Sequence, residues 1–185
     1  MKTSTEYKLI LDHYGDLKAE RSGVPLINHI DEGILILNSL RADHVTRAAW
    51  CLHPMLQSDE DYLRFEERTA SWRARAGVER ASVPWRSVKL AMEYRAVANS
   101  YLSSHPTRHV CDIHLGPDRR VAEMLIADKV QNRKDFEKYH KGTHSNSHRL
   151  EEYFYQWMKR LGVCEDDYKL FCNLMKERDY APAEN

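Results

Sequence analysis

The chain reads as an all-α domain of about seven or eight helices of ordinary length, and three observations lead there. Apolar residues recur at three- and four-residue spacing in nearly every segment, as in "STEYKLILDHYGDLKAE", where Tyr7, Ile10, Leu11, Tyr14 and Leu17 fall on one stripe. Helix-breaking residues such as Gly23, Pro25, Pro84, Pro117 and Gly162 stand where those segments begin or end. No run has the two-residue alternation of a half-buried strand.

The elements follow in order. The first stripe is broken by "RSGVPLINH", through Gly23 and Pro25. Two short helices come next, "IDEGILILNSL" and "DHVTRAAWCLH", the second capped by Asp43. Pro54 stops that second helix near His53, because its ring clashes with the preceding turn and its nitrogen carries no proton. Ser58 and Asp61 are suited to cap "DEDYLRFEERTASWRARA", whose opening acids match the positive end of a helix. Pro84 opens "PWRSVKLAMEYRAVANSYLS" and Pro117 opens "PDRRVAEMLIADKVQNRKDFEKYH" as first-turn prolines. "SHRLEEYFYQWMKRLG" stops at Gly162, and "EDDYKLFCNLMKER" is the last helix. Residues 1–180 are expected to form one domain, with 181–185 as a frayed tail.

Composition narrows the function classes. The 185 residues suffice for one stable core, and 42% hydrophobic with 30% charged residues is a globular balance. Lys and Arg total 28 and so do Asp and Glu, which argues against nucleic-acid binding through overall charge. No apolar run approaches membrane-spanning length, and the N-terminus has no apolar signal core. Cys51, Cys111, Cys164 and Cys172 show no CxxC spacing, and Cys51 lies in an apolar segment suited to a free buried thiol. A cytoplasmic, reduced protein is the expectation.

Three residue groups could meet in such a bundle. His29 closes "RSGVPLINH", His53 closes "TRAAWCLH", and Asp128 and Asn132 share a face of "LIADKVQN" with the apolar Val121, Leu125 and Phe136. A carboxylate in an apolar stripe requires a cation, a donor or a metal to offset its desolvation. Two imidazoles and a carboxylate form a sensible ligand set for a divalent ion. Taken singly, each residue is equally explained as a helix cap, a core histidine or one half of an ion pair. His140, His144 and His148 stand four apart, but "GTHSNS" between them is turn-like, which favours a loop over a zinc-binding face. His105, His109 and His114 read as surface loop residues. The aromatic run with Tyr153, Phe154 and Trp157 reads as core.

In order and spacing, these segments resemble the hydrolase domain of RelA/SpoT-type alarmone enzymes and their small single-domain relatives, all-helical members of the HD superfamily. That pattern runs R-x-S-G-x-P-Y-I-x-H, then A-A-x-L-H-D-x-x-E-D, then A-D-K/R-L-x-N. The first element retains Arg21, Ser22, Gly23, Pro25, Ile27 and His29, with Leu26 at the tyrosine position; the third retains Ala127, Asp128, Lys129 and Asn132. "SHRLEEYFYQW" is similar to an H-R-x-x-E-Y-F run of the small hydrolases. The resemblance covers most of residues 5–161 and is poor over 62–116. It implies an HD-type bundle and metal-dependent release of pyrophosphate from the 3′ position of guanosine tetra- or pentaphosphate or a related purine alarmone. It further implies a divalent ion, manganese, on His29, His53 and Asp128. Arg21, Lys129, Asn132 and His148 would then face the nucleotide, with Arg21 on the base and Asn132 on the ribose.

The second element departs from the family. Pro54 stands where the aspartate ligand belongs, and Gln57 and Ser58 stand at the Glu-Asp pair that prepares the attacking water. Neither replaces a carboxylate as a base. Asp59, Glu60 and Asp61 follow at once. Either they cap the next helix, or one of them, Glu60 for example, swings in to rebuild the site. The resemblance therefore leaves two expectations: a metal-dependent phosphohydrolase whose altered site uses Gln57, Ser58 and Glu60, or an impaired relative that binds a nucleotide or a protein partner without turnover.

Overall fold

The computed structural model describes residues 1–20, 22–76, 83–101, 112–143 and 145–176; among them the chain forms eight α-helices and no strand. These are α1 (Thr5–Tyr14), α2 (Ile27–Ser39), α3 (His44–Leu52), α4 (Asp59–Ala76), α5 (Trp85–Ser100), α6 (Arg119–Asp135), α7 (Ser147–Leu161) and α8 (Glu165–Lys176). Helix α3 is wrapped by α1, α2 and α5, and α6 by α2, α5, α7 and α8. The two wrapped helices meet each other, so they form the centre of the bundle. No helix among the described residues is long and apolar enough to cross a membrane.

Local chemistry sets the helix ends. Ser4 caps α1 by accepting from the Tyr7 amide at 3.3 Å, and Gly15, at φ 50°, stops it. That stop shortens the expected stripe. Tyr7 and Ile10 are buried together with Leu9, whereas Leu11 and Leu17 are 45% and 58% exposed. Helix α2 begins at Ile27, earlier than its apolar run suggests, so His29 lies in its first turn and does not close a loop. Asp43 caps α3 through the Thr46 amide at 2.7 Å. Asp118, not Pro117, sits at the start of α6 and accepts from the Arg120 amide at 2.9 Å. The segment read as one helix to His140 changes pitch after Asp135, because Phe136–His140 form a π turn. Gly162, in the left-handed region at φ 69°, ends α7 as its position in the sequence predicts. Cys51 is a buried free thiol whose pKa is pushed up by burial.

Helices α2 and α3 are locked by one tight contact. A Cβ on Gly33 would lie 2.1 Å from the Trp50 ring, which is fully buried and donates its indole N–H to the Ile30 carbonyl at 3.0 Å. Replacing Gly33 by alanine should gain about 1 kcal/mol of helix propensity. Overpacking against an immobile ring opposes that gain by about 3 kcal/mol. We therefore expect Gly33→Ala to destabilise the fold by about 2 kcal/mol, measured by denaturant unfolding followed through tryptophan fluorescence.

Candidate metal centre

Helices α2 and α6 and the turn after α3 bring His29, His53 and Asp128 together, their nearest ligand atoms all within 4.8 Å of one another. His29 is half-buried, while His53 and Asp128 are buried. The two imidazole Nε2 atoms stand 3.3 Å apart, and His29 Nε2 lies 3.9 Å from Asp128 Oδ1.

Pro54 shapes this arrangement. An α-helix continuing through residue 54 would donate its amide to the Trp50 carbonyl. Proline has no amide hydrogen, so α3 ends at Leu52 and His53–Leu56 form a 3-10 turn. The Trp50 carbonyl is left for the His53 ring, and Nδ1 lies 2.6 Å from it. A carbonyl can only accept, so Nδ1 carries the proton and Nε2 is bare in the neutral ring. The same inference applies to His29, whose Nδ1 is 2.7 Å from Gln131 Oε1. Both rings thus point lone pairs at each other, and no neutral hydrogen bond can join them. Two nitrogens bound at about 2.1 Å on tetrahedral positions of one ion lie about 3.4 Å apart, so the observed spacing is that of neighbouring ligands.

Asp128 is ionised within this buried cluster. Burial by itself raises its pKa, but the Lys129 ammonium beside it holds it below the usual carboxylate range. Lys129 Nζ pairs with Oδ2 at 2.8 Å and Asn132 Nδ2 donates to Oδ1 at 2.7 Å. The Tyr94 hydroxyl donates to the same carboxylate, and burial followed by the Asp128 charge raises its own pKa well above the ordinary phenol value. A carboxylate offers about four lone-pair sites. Three donors therefore leave it able to take a cation. Burial lowers the Lys129 pKa, yet the Asp128 charge and Tyr153 outweigh this and raise it; the ammonium also lies over the rings of Tyr153 and Trp157, 5.5 and 4.9 Å from their centroids.

Beside the cluster lies a cleft of about 320 Å³. Its lining includes Lys129, Asn132 and His140 with the apolar faces of Phe136, Tyr153 and Phe154. Lys129 and Asn132 thus both line the cleft, whereas Arg21 lies outside the described residues. His148 does not line the cleft. It is exposed in the first turn of α7. Of the other spaced histidines, His140 falls in the π turn, and His144, His105 and His109 lie outside the described residues. His114 is exposed.

Gln57, Ser58 and Glu60 do not join the cluster. The Gln57 side chain is exposed and its carbonyl accepts from Asn99 Nδ2 at 3.1 Å. Ser58 Oγ caps α4 by accepting from the Asp61 amide at 3.0 Å. Glu60 is exposed and pairs with Arg64, and Asp59 pairs with Arg95 across to α5. No further His, Cys, Asp or Glu among the described residues completes the group of three. The expectation that one of these acids rebuilds the site is corrected accordingly. Helix α4 starts at once, and its positive N-terminal end already uses all three carboxylates.

Residues not anticipated from the sequence complete the surroundings. Tyr94 comes from the 62–116 region, where the family pattern fits poorly. Trp50 stacks on both imidazoles, with ring centroids 4.9 Å from His29 and 4.3 Å from His53. Gln131 lies inside the quoted "IADKVQN", next to Asn132, where α-helical phase alone turns it towards α2. The fold and the cluster together define a helical bundle with a buried two-histidine, one-aspartate centre. No family model matches the chain, and no curated protein or solved structure matches it either.

The buried ring of His53 predicts a pH dependence. Burial first, and then His29, push its pKa from 6.5 down to about 3. The unfolded chain binds the proton that the folded state refuses, so stability is complete above pH 6.5 and falls as the pH drops towards 3. The slope from this one group reaches about 1.4 kcal/mol per pH unit. Denaturant unfolding of metal-free protein across that window should show it, with a slope shallower by about one proton in His53→Gln.

Proposed function

We propose that the protein is a metal-dependent nucleotide phosphohydrolase of the HD type. It would release pyrophosphate from the 3′ position of a guanosine or adenosine alarmone, with activity weakened or redirected by its altered second motif. The observation that carries this reading is the pair of bare Nε2 atoms 3.3 Å apart beside the ionised Asp128. His29, His53 and Asp128 would hold a divalent ion, manganese in the family it resembles. Such an ion supplies Lewis acidity that polarises a phosphoryl oxygen and activates water.

The chain's own residues do the rest. The Trp50 carbonyl and Gln131 hold the two imidazoles with Nε2 forward. Tyr94, Lys129 and Asn132 keep Asp128 charged and fixed. Phe136, Tyr153 and Phe154 offer the cleft an apolar wall for a purine, with Lys129 and Asn132 also in its lining. With no carboxylate at position 54, 57 or 58, proton removal from water falls to a weaker base, and turnover should be slow.

A second reading, nucleotide binding without turnover, is favoured by the capping contacts between Ser58 and Asp61 and the pairing of Glu60 with Arg64, which leave the cluster without a further carboxylate among the described residues. One set of measurements separates the two. Mn2+ should bind the wild type saturably and be weakened more than about 100-fold by Asp128→Ala, since ligand loss exceeds the effect of an outer-shell change. Guanosine or adenosine 3′-pyrophosphates should bind about tenfold more weakly to Asn132→Ala, the equivalent of one hydrogen bond. Slow pyrophosphate release that disappears in Asp128→Ala supports the hydrolase. Tight binding with no release, in both wild type and the triple variant Pro54→Asp, Gln57→Glu, Ser58→Asp, supports the binding protein.

A further inference from the structure

Behind His29 stands a polar network centred on the buried Gln131, one member of which, Asp135, also lines the cleft. Gln131 is 1% exposed and joins α6 to α2. Its Nε2 donates to Glu32 Oε2 at 3.0 Å and to Asp135 Oδ2 at 2.7 Å, and Lys134 pairs with Glu32. Two carboxylates can only accept, so both amide hydrogens are committed to them and the orientation of the amide is fixed. Its oxygen is therefore the atom facing His29, 2.7 Å from Nδ1.

We infer that Gln131 is a positioning residue that sets the tautomer of His29. By holding the proton on Nδ1 it prevents His29 from donating through Nε2 to His53, and so keeps the pair open to a cation. Without the Gln131 oxygen, the imidazoles have a simple way to satisfy each other, an N–H···N bond across the 3.3 Å that separates them. The pair would then be closed by its own proton. Glu32, Lys134 and Asp135 matter because they stop the amide from turning over and presenting a donor to His29. The tautomer claim stands on the hydrogen-bond pattern alone; its consequence for metal binding rests on the function proposed above.

The test is nitrogen-15 NMR of the histidine rings in metal-free full-length protein, at a pH above the ordinary histidine range. Both His29 and His53 should carry their proton on Nδ1 in the wild type. In Gln131→Met, which keeps length and loses the acceptor, His29 should move its proton to Nε2 while His53 stays as it was. Mn2+ titration of the same variant should show affinity about 10- to 100-fold weaker, the size of effect expected when an outer-shell partner is lost. A wild-type His29 protonated on Nε2, or a variant His29 still protonated on Nδ1, would overturn the inference. Should Gln131→Met not fold, the wild-type spectrum alone decides. Wild-type protein with the expected tautomers that binds no Mn2+ would sink the phosphohydrolase reading and leave the role of Gln131 standing.

Discussion

Trp50 is the joint on which the rest of the molecule turns. Its indole occupies the hollow left by Gly33, donates to the Ile30 carbonyl and so fixes the approach of α3 to α2. Its own carbonyl receives the His53 ring, and its face lies against His29. The approach of α3 to α2 and the orientation of the His53 ring are thus set by one side chain and one backbone oxygen. A small rotation of α3 would disturb both histidines together. The cluster is therefore a property of the core and not of a loop laid over it.

Electrostatics inside that core follow from burial. A buried carboxylate survives only with partners, and Asp128 has three donors plus two neighbouring rings. Lys129 is equally costly to bury alone; it is balanced by Asp128 on one side and by the faces of Tyr153 and Trp157 on the other. The Lys129 ammonium over these rings links α6 to α7, and Lys129 also lines the cleft. Structure and chemistry share these residues, so substitutions here are expected to move stability and ligand affinity together.

Much of this was legible in the sequence. Helical spacing and the positions of Asp43, Pro54 and Gly162 are local signals, and they placed most of the helices. Order and spacing also singled out His29, His53 and Asp128, which the fold brings together. What stayed hidden depends on pairing at long range. Tyr94 reaches Asp128 from a helix whose sequence offers no pattern, and Gln131 acquires meaning only once Glu32 is opposite it. The acids after Ser58 were ambiguous for another reason: capping and ligation require the same residue types, and only the immediate start of α4 decides between them. The π turn after Asp135 was invisible as well, since an added backbone residue changes helical phase without changing composition.

Pro54 acts through the backbone as well as through its side chain. Its ring leaves position 54 without a backbone hydrogen that would compete with His53 for the Trp50 carbonyl. Any other residue at this position returns that hydrogen along with whatever side chain it brings. Placing an aspartate here therefore changes the backbone hydrogen bonding as well as the side chain. The new amide and the existing imidazole would meet at the same oxygen, and the core around Trp50 would have to accommodate two donors where it now holds one.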